Sequence, residues 1–313
     1  MKNIFVLLLV ATSSYCVAQI SWKEIPSVPT VFEVSSDLQE RDMAISPDGK
    51  EMFYTVQGNQ HAYSIILYRK KTKDAWSAPT VAPFSGKFSD LEPAFTADGK
   101  KVFFSSNRPT NGSEPKDYDI WYVEKKENAW TTPKNAGPQI NTAENEFYPS
   151  LSDAGNLYFT AEYDHGIGKE DIYRSRWSNG KFEQSVPLDT AVNSKTWEFN
   201  AFVSPDESFI IFTAYGRQDD QGGGDLYISV KDAQGKWKKS QQLTILNSPK
   251  LDYCPFVSFD KKVLFFTSAR HTIPKVFEQP LSIDALNKLS HGTDNGSENI
   301  YWISFEKVLG SIK

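Results

Sequence analysis

At 313 residues the chain has room for two average domains, and its net charge of −5, without a basic block or a Lys/Arg stripe, excludes nucleic acid and anionic membrane surfaces as partners. Two cysteines, one of them within the first 20 residues, exclude a disulfide-stapled scaffold. Aromatic residues at 14% suit an all-β domain, a carbohydrate binder and a peptide binder equally.

The chain opens with Lys2, an apolar run over residues 4–11 and the small-residue site Cys16-Val17-Ala18, the pattern of a signal peptide cleaved after Ala18. The run is too short for the about 20 apolar residues that span a bilayer, so the expectation is a periplasmic or secreted, soluble protein. Loss of residues 1–18 removes Lys2, takes the net charge to −6 and leaves Cys254 without a disulfide partner. Cys16 is also a place for a lipid, but Ser13-Ser14-Tyr15 lacks the small residue wanted immediately ahead of it.

Next come Trp22 and Ile25-Pro26, which read as a fourth strand with no first three before it. From residue 40 an acid then returns as Glu40, Asp90, Glu146, Glu198 and Asp252, at intervals of 50, 56, 52 and 54 residues. Each acid sits in the same local text, so the chain is an array of one repeated unit and the 19–313 segment is one domain. Six and five positions ahead of the acids stand Val34-Ser35, Phe84-Ser85, Ile140-Asn141, Val192-Asn193 and Leu246-Asn247. Further upstream the aromatic series runs Trp22, Trp76, Trp130, Phe182 and Trp237.

After each acid, turn chemistry separates two β-rich runs: Ser46-Pro47-Asp48-Gly49-Lys50, Ala97-Asp98-Gly99-Lys100, Ser152-Asp153-Ala154-Gly155, Ser204-Pro205-Asp206 and Ser258-Phe259-Asp260. A third-strand signal follows as Ile66-Leu67-Tyr68, Asp119-Ile120-Trp121, Asp171-Ile172-Tyr173, Asp225-Leu226-Tyr227 and Asn299-Ile300-Tyr301. Four strands per unit result. Ahead of the last signal lies the longest insertion, 271–298, with a short helix predicted over 281–289; it is a place for partner contact or a plug over the channel.

The last unit lacks a fourth strand and the first residues supply one, so the two fragments complete each other. That complementarity predicts a closed five-bladed β-propeller of four-stranded antiparallel blades, with blades at about 40–89, 90–145, 146–197, 198–251, and 252–309 plus 20–34. An open solenoid would need a cap at each end, and neither end reads as one.

In such a ring the five acids stand at one channel mouth, where repulsion would be relieved by a hard cation such as calcium, by a Lys/Arg-bearing peptide or by hydrogen bonds from their own loops. Arg108, Arg217 and Arg270 follow the second strand in three blades, placed to capture an anionic group or to pair with the acids. His61, His165, His271 and His291 fall in the same connections and are candidate metal ligands, although no local ligand spacing joins them. No Gly-x-Ser-x-Gly elbow is present, and Cys254 reads as a buried small hydrophobe.

Ser46-Pro47-Asp48-Gly49-Lys50, Phe104-Ser105-Ser106-Asn107-Arg108, Asp119-Ile120-Trp121 and Trp130 with Pro133 resemble the TolB-type propeller repeat over about residues 20–309. The resemblance implies an exported binding or scaffold module, with no fused catalytic domain in sight. The expected function is therefore non-catalytic binding, as a monomer, of a peptide, envelope protein or glycan through the channel mouth. The other class is a carbohydrate-active enzyme, a glycoside hydrolase or metal-dependent lyase, using channel-mouth carboxylates.

Overall fold

A computed structural model of the chain describes residues 20, 22, 24–73 and 75–312. The predicted leader and Cys16 lie outside the described residues. Five antiparallel sheets follow one another around an axis. Their first strands are Gln39–Ile45, Asp90–Phe95, Glu146–Leu151, Trp197–Val203 and Asp252–Val257, each beginning at or one residue before its acid. Of the second strands, Glu51–Gln57, Leu157–Ala161 and Val263–Ser268 are buried throughout, and Lys101–Ser106 and Phe209–Tyr215 are buried except at Lys101 and Tyr215. The third strand of the last blade, Asn299–Ser304, pairs on its outer side with Thr30–Val31, Thr30 opposite Trp302 and Val31 opposite Tyr301.

The turn between first and second strands forms as its residues dictate. Ser46 Oγ accepts from the amides of Lys50 and Glu51 and donates to Asp48, and Gly49 takes φ +69°. Blades 4 and 5 put Glu207 and Lys261 at the left-handed position instead. The residues five ahead of the acids run beside the third strand as a surrogate ladder: Asn193 both accepts from Ile172 N and donates to Ile172 O, and Asn141 does the same with Ile120.

The aromatic column stands elsewhere than expected. Trp76 and Trp130 pair with the far end of the third strand, opposite Lys71 and Lys125, and the fourth strands proper are Thr80–Val81 and Lys134–Asn135, several residues on. An indole is better buried between blades than on an outer edge, and the outer hairpin delivers it there: Trp130 lies 5.8 Å from Phe53 and 6.1 Å from Phe95. The 281–289 expectation is met by a helix over Ile283–Ser290, capped by Ser282 Oγ on the Ala285 amide. No helix among the described residues is long and apolar enough to cross a membrane.

Candidate functional site: the axial pocket

The five acids are buried, and protein donors occupy them. The amides of Ser36, Thr142, Ser194 and Ser248, four residues upstream, donate to Glu40, Glu146, Glu198 and Asp252. Arg108, Arg217 and Arg270 place Nη2 2.6, 2.8 and 2.7 Å from Asp90, Glu198 and Asp252. The same nitrogens donate to the carbonyls of Phe84, Val192 and Leu246, six residues ahead of each acid. Each guanidinium also lies on an aromatic ring, Arg217 4.6 Å from the Tyr227 centroid and Arg270 4.9 Å from that of Tyr301. In blade 3 the Tyr163 hydroxyl takes the arginine's place, donating to Glu146 at 2.5 Å. Glu40 and Glu146, with no cation against them among the described residues, are pushed up to about 7 by burial.

Two residues further along each first strand is a second ring, which the sequence reading passed over. Asp42, Glu92, Tyr148, Asn200 and Cys254 all have φ between +48° and +62°, at a bulge that interrupts the pairing of first and second strands in every blade. Left-handed backbone is uncommon for such residues, and at this bulge it costs about 1–3 kcal/mol each. Hydroxyls of the preceding blade support it: the amides of Glu92 and Asn200 donate to Thr55 and Thr160 Oγ1 at 3.1 Å.

The side chains of this ring tie the five blades together across the axis. Arg41 Nε donates to both oxygens of Asp42 at 2.8 Å, and its Nη2 reaches Glu92 at 3.2 Å and Cys254 Sγ at 3.6 Å. Its guanidinium also lies 4.9 Å from the Tyr253 ring centroid. Glu92 accepts in addition from Ser105 Oγ, the Tyr148 amide and Asn200 Nδ2, while the Tyr148 hydroxyl crosses to Pro255 O at 2.9 Å. Burial, then the Asp42 carboxylate, raises Glu92 above its ordinary range despite Arg41. Burial likewise pushes the Cys254 thiol well up, which leaves it protonated and unreactive.

Above this network opens a pocket of about 340 Å³ at the channel mouth. Arg41, Glu92 and Asn200 form part of its floor, and Tyr118, Phe147, Phe199 and Tyr253 supply aromatic walls. Glu170, Glu298, Gln57 and His61 add polar groups. Burial, with Glu162 nearby, pushes Glu170 up to about 6. The Tyr253 hydroxyl, in a residue only 3% exposed, and Glu298 Oε2 are buried in this wall with no hydrogen-bond partner among the described residues. Buried polar atoms are ordinarily paired, and of the ten side-chain atoms left without a partner among the described residues these two share one pocket.

The histidines disperse. His61 alone lines the pocket; His165 stacks on Tyr163, His271 bridges Asn295, and His291 lies 3.3 Å from Asp37. Among the described residues no three His, Cys, Asp or Glu side chains gather as a metal site. From the 271–298 insertion only Glu298 belongs to the pocket wall. The second ring had no sequence signal of its own, because its column varies as the one before it does: Arg41, Leu91, Phe147, Phe199 and Tyr253.

Fold and site together define a five-bladed β-propeller with a closed axis and one polar, aromatic mouth. Searches against protein-family models and against curated proteins found no match. Solved structures are similar in fold. One is the alpha-L-arabinofuranosidase PaAbf62A from Podospora anserina in complex with cellotriose, at 13% identity and TM-score 0.50 over 89% of this chain and 94% of that one. Another is the catalytic domain of the Coprinopsis cinerea GH62 alpha-L-arabinofuranosidase, at 11% and 0.51 over 90% and 96%. A third is described as a putative TolB from Agrobacterium tumefaciens, at 16% and 0.49 over 85% and 90%.

Proposed function

We propose that this protein is an exported binding module whose axial pocket takes the donor-rich end of a ligand, hydroxyls of a glycan or an ammonium of a peptide or envelope protein. The observation that carries this reading is the pair of orphaned atoms, Tyr253 Oη and Glu298 Oε2, in a pocket whose one guanidinium is already held by Asp42 and Glu92. Acceptors therefore outnumber free donors, and aromatic faces at Phe147 and Phe199 suit sugar rings or alkyl stems. The acid–arginine pairs of the outer ring are read as determinants of the blade fold, since their hydrogen bonds are spent within the protein.

Titration calorimetry with a panel of oligosaccharides and lysine-bearing peptides tests this. Tyr253→Phe and Glu298→Gln should each weaken the ligand that binds by about tenfold, the loss of one hydrogen bond in a desolvated site. Unchanged affinity in both variants sinks the reading.

The second reading, glycoside hydrolysis, is favoured by one observation: Glu92 and Glu170 are both raised carboxyls in a pocket of a fold shared with arabinofuranosidases. Against it, Glu92 already accepts from four donors and has no oxygen left for a glycosidic bond. Release of nitrophenol from 4-nitrophenyl alpha-L-arabinofuranoside, abolished by Glu170→Gln, would establish hydrolysis.

A further inference from the structure

A second cavity, of about 560 Å³, lies away from the axis between blades 2 and 3. Its walls are Phe103 and Tyr122 of blade 2 with Leu151, Trp177 and Phe182 of blade 3. Equivalent positions at the neighbouring junctions explain why it is open. Between blades 1 and 2 the same columns read Phe53, Phe95 and Trp130, and the indole packs on both phenyl rings. Between blades 3 and 4 Trp237 packs against the cluster of Tyr158 and Val203.

At the open junction a leucine replaces Phe95 and a phenyl replaces the indole, and Phe182 meets Phe103 at 6.4 Å. Its outer hairpin, Trp177–Ser178 with Lys181–Phe182, stays tied to the blade through Glu183 N on Arg176 O, as Thr131 N on Glu124 O ties the hairpin of blade 2. Trp177 stands 42% exposed, 4.8 Å from Phe182. Beneath the gap the Phe103–Tyr122 stack at 5.2 Å repeats the Phe53–Tyr68 stack at 4.9 Å on which Trp130 rests. The floor for an indole is built, but the column that supplies Trp130 and Trp237 at the other two junctions holds Phe182 here, and Trp177 lines the groove from its rim.

We infer that this groove docks an aromatic side chain, tryptophan before phenylalanine, from an extended segment of a partner polypeptide. The chain itself shows what these columns accept, and the volume falls within the about 300–1,000 Å³ of ligand pockets, enough for residues flanking the ring as well. The site is independent of the axial pocket and takes nothing from the reading of that pocket.

The test titrates the full chain with N-acetylated seven-residue Gly/Ser peptides carrying a central Trp or Ala, followed by two-dimensional amide NMR. The Trp peptide should shift groove amides saturably and bind at least about tenfold tighter than the Ala peptide. Phe182→Trp should fill the groove from within, raise Tm and weaken the Trp peptide by a similar factor. Leu151→Phe, a second filler in another column, should do likewise and stands in if the first variant misfolds. Equal binding of the Ala peptide, or full binding by either folded variant, overturns the proposal. So does N-acetyltryptophanamide binding as tightly as the peptide, which would make the groove a site for free aromatic molecules.

Discussion

Two rings of five residues lie two positions apart on the same five strands, and they are built on opposite principles. The outer one, Glu40, Asp90, Glu146, Glu198 and Asp252, repeats one chemistry and satisfies it locally, from an amide four residues upstream or an arginine of the same blade. The inner one, Asp42, Glu92, Tyr148, Asn200 and Cys254, repeats one backbone conformation while its side chains run from carboxylate to phenol, amide and thiol. Besides the contacts of Asp42 with Arg41 and of Glu92 with Ser105 inside their own blades, its contacts run from blade to blade. Repetition in this molecule marks what each blade needs to fold; departure from repetition marks what the closed ring does at its axis.

The comparison breaks most readily at Arg41. Arg41→Ala leaves Asp42 and Glu92 buried without their cation, and loss of one partner of such a buried set costs about 3–5 kcal/mol, visible as a large fall in urea midpoint. If Arg41→Ala proves no worse than Arg217→Ala, the axial network does not hold the blades together more strongly than the outer ring does. The outer ring should give a smaller and uniform result. Arg108→Ala, Arg217→Ala and Arg270→Ala each remove a charged hydrogen bond worth about 1.5–3 kcal/mol, and repeat equivalence predicts values that agree among the three. A wide spread would count against a common structural role.

A third prediction uses the two acids that lack an arginine. Glu40 and Glu146 ionise near 4.5 when unfolded and near 7 in the fold, so the native state holds their protons through that window and binds more protons than the unfolded chain. Stability therefore falls as pH rises from about 4.5 to about 7. On the acid side the sign reverses. Although burial opposes it, hydrogen bonds from Lys231 and Asn156 hold Glu207 down at about 2, and its contribution disappears as pH drops from 4.5 towards that value. Thermal melts across pH 3–8 should therefore peak near pH 4.5–5, and Glu40→Gln with Glu146→Gln should flatten only the neutral side. The smallest effect belongs to Tyr253→Phe, which deletes a hydroxyl without a partner and should move stability by less than about 0.5 kcal/mol while still weakening ligand.

Most of the architecture was legible in the residues. The turn at Ser46-Pro47-Asp48-Gly49-Lys50, the buried runs after it and the helix capped at Ser282 are local, and the chain writes them out wherever they occur. The aromatic column was legible as a repeat but misplaced as a strand. Trp130 is set by the space between two blades, which no stretch of one blade contains. Of the site, the outer ring could be named in advance because it repeats, whereas the inner ring could not be told apart from a variable strand.

The sequence by itself determined how many blades there are and which turn joins their strands, since the repeat is written out in every unit and the turn depends on hydrogen bonds between residues a few positions apart. Only the tertiary structure decided that Arg41 meets Glu92 and Cys254, 51 and 213 residues away, and that Phe182 leaves a groove Trp130 would have filled. Those contacts exist because ring closure brings five distant bulges onto one axis and sets blade against blade, and the energy of a buried contact depends on the neighbour it finds there.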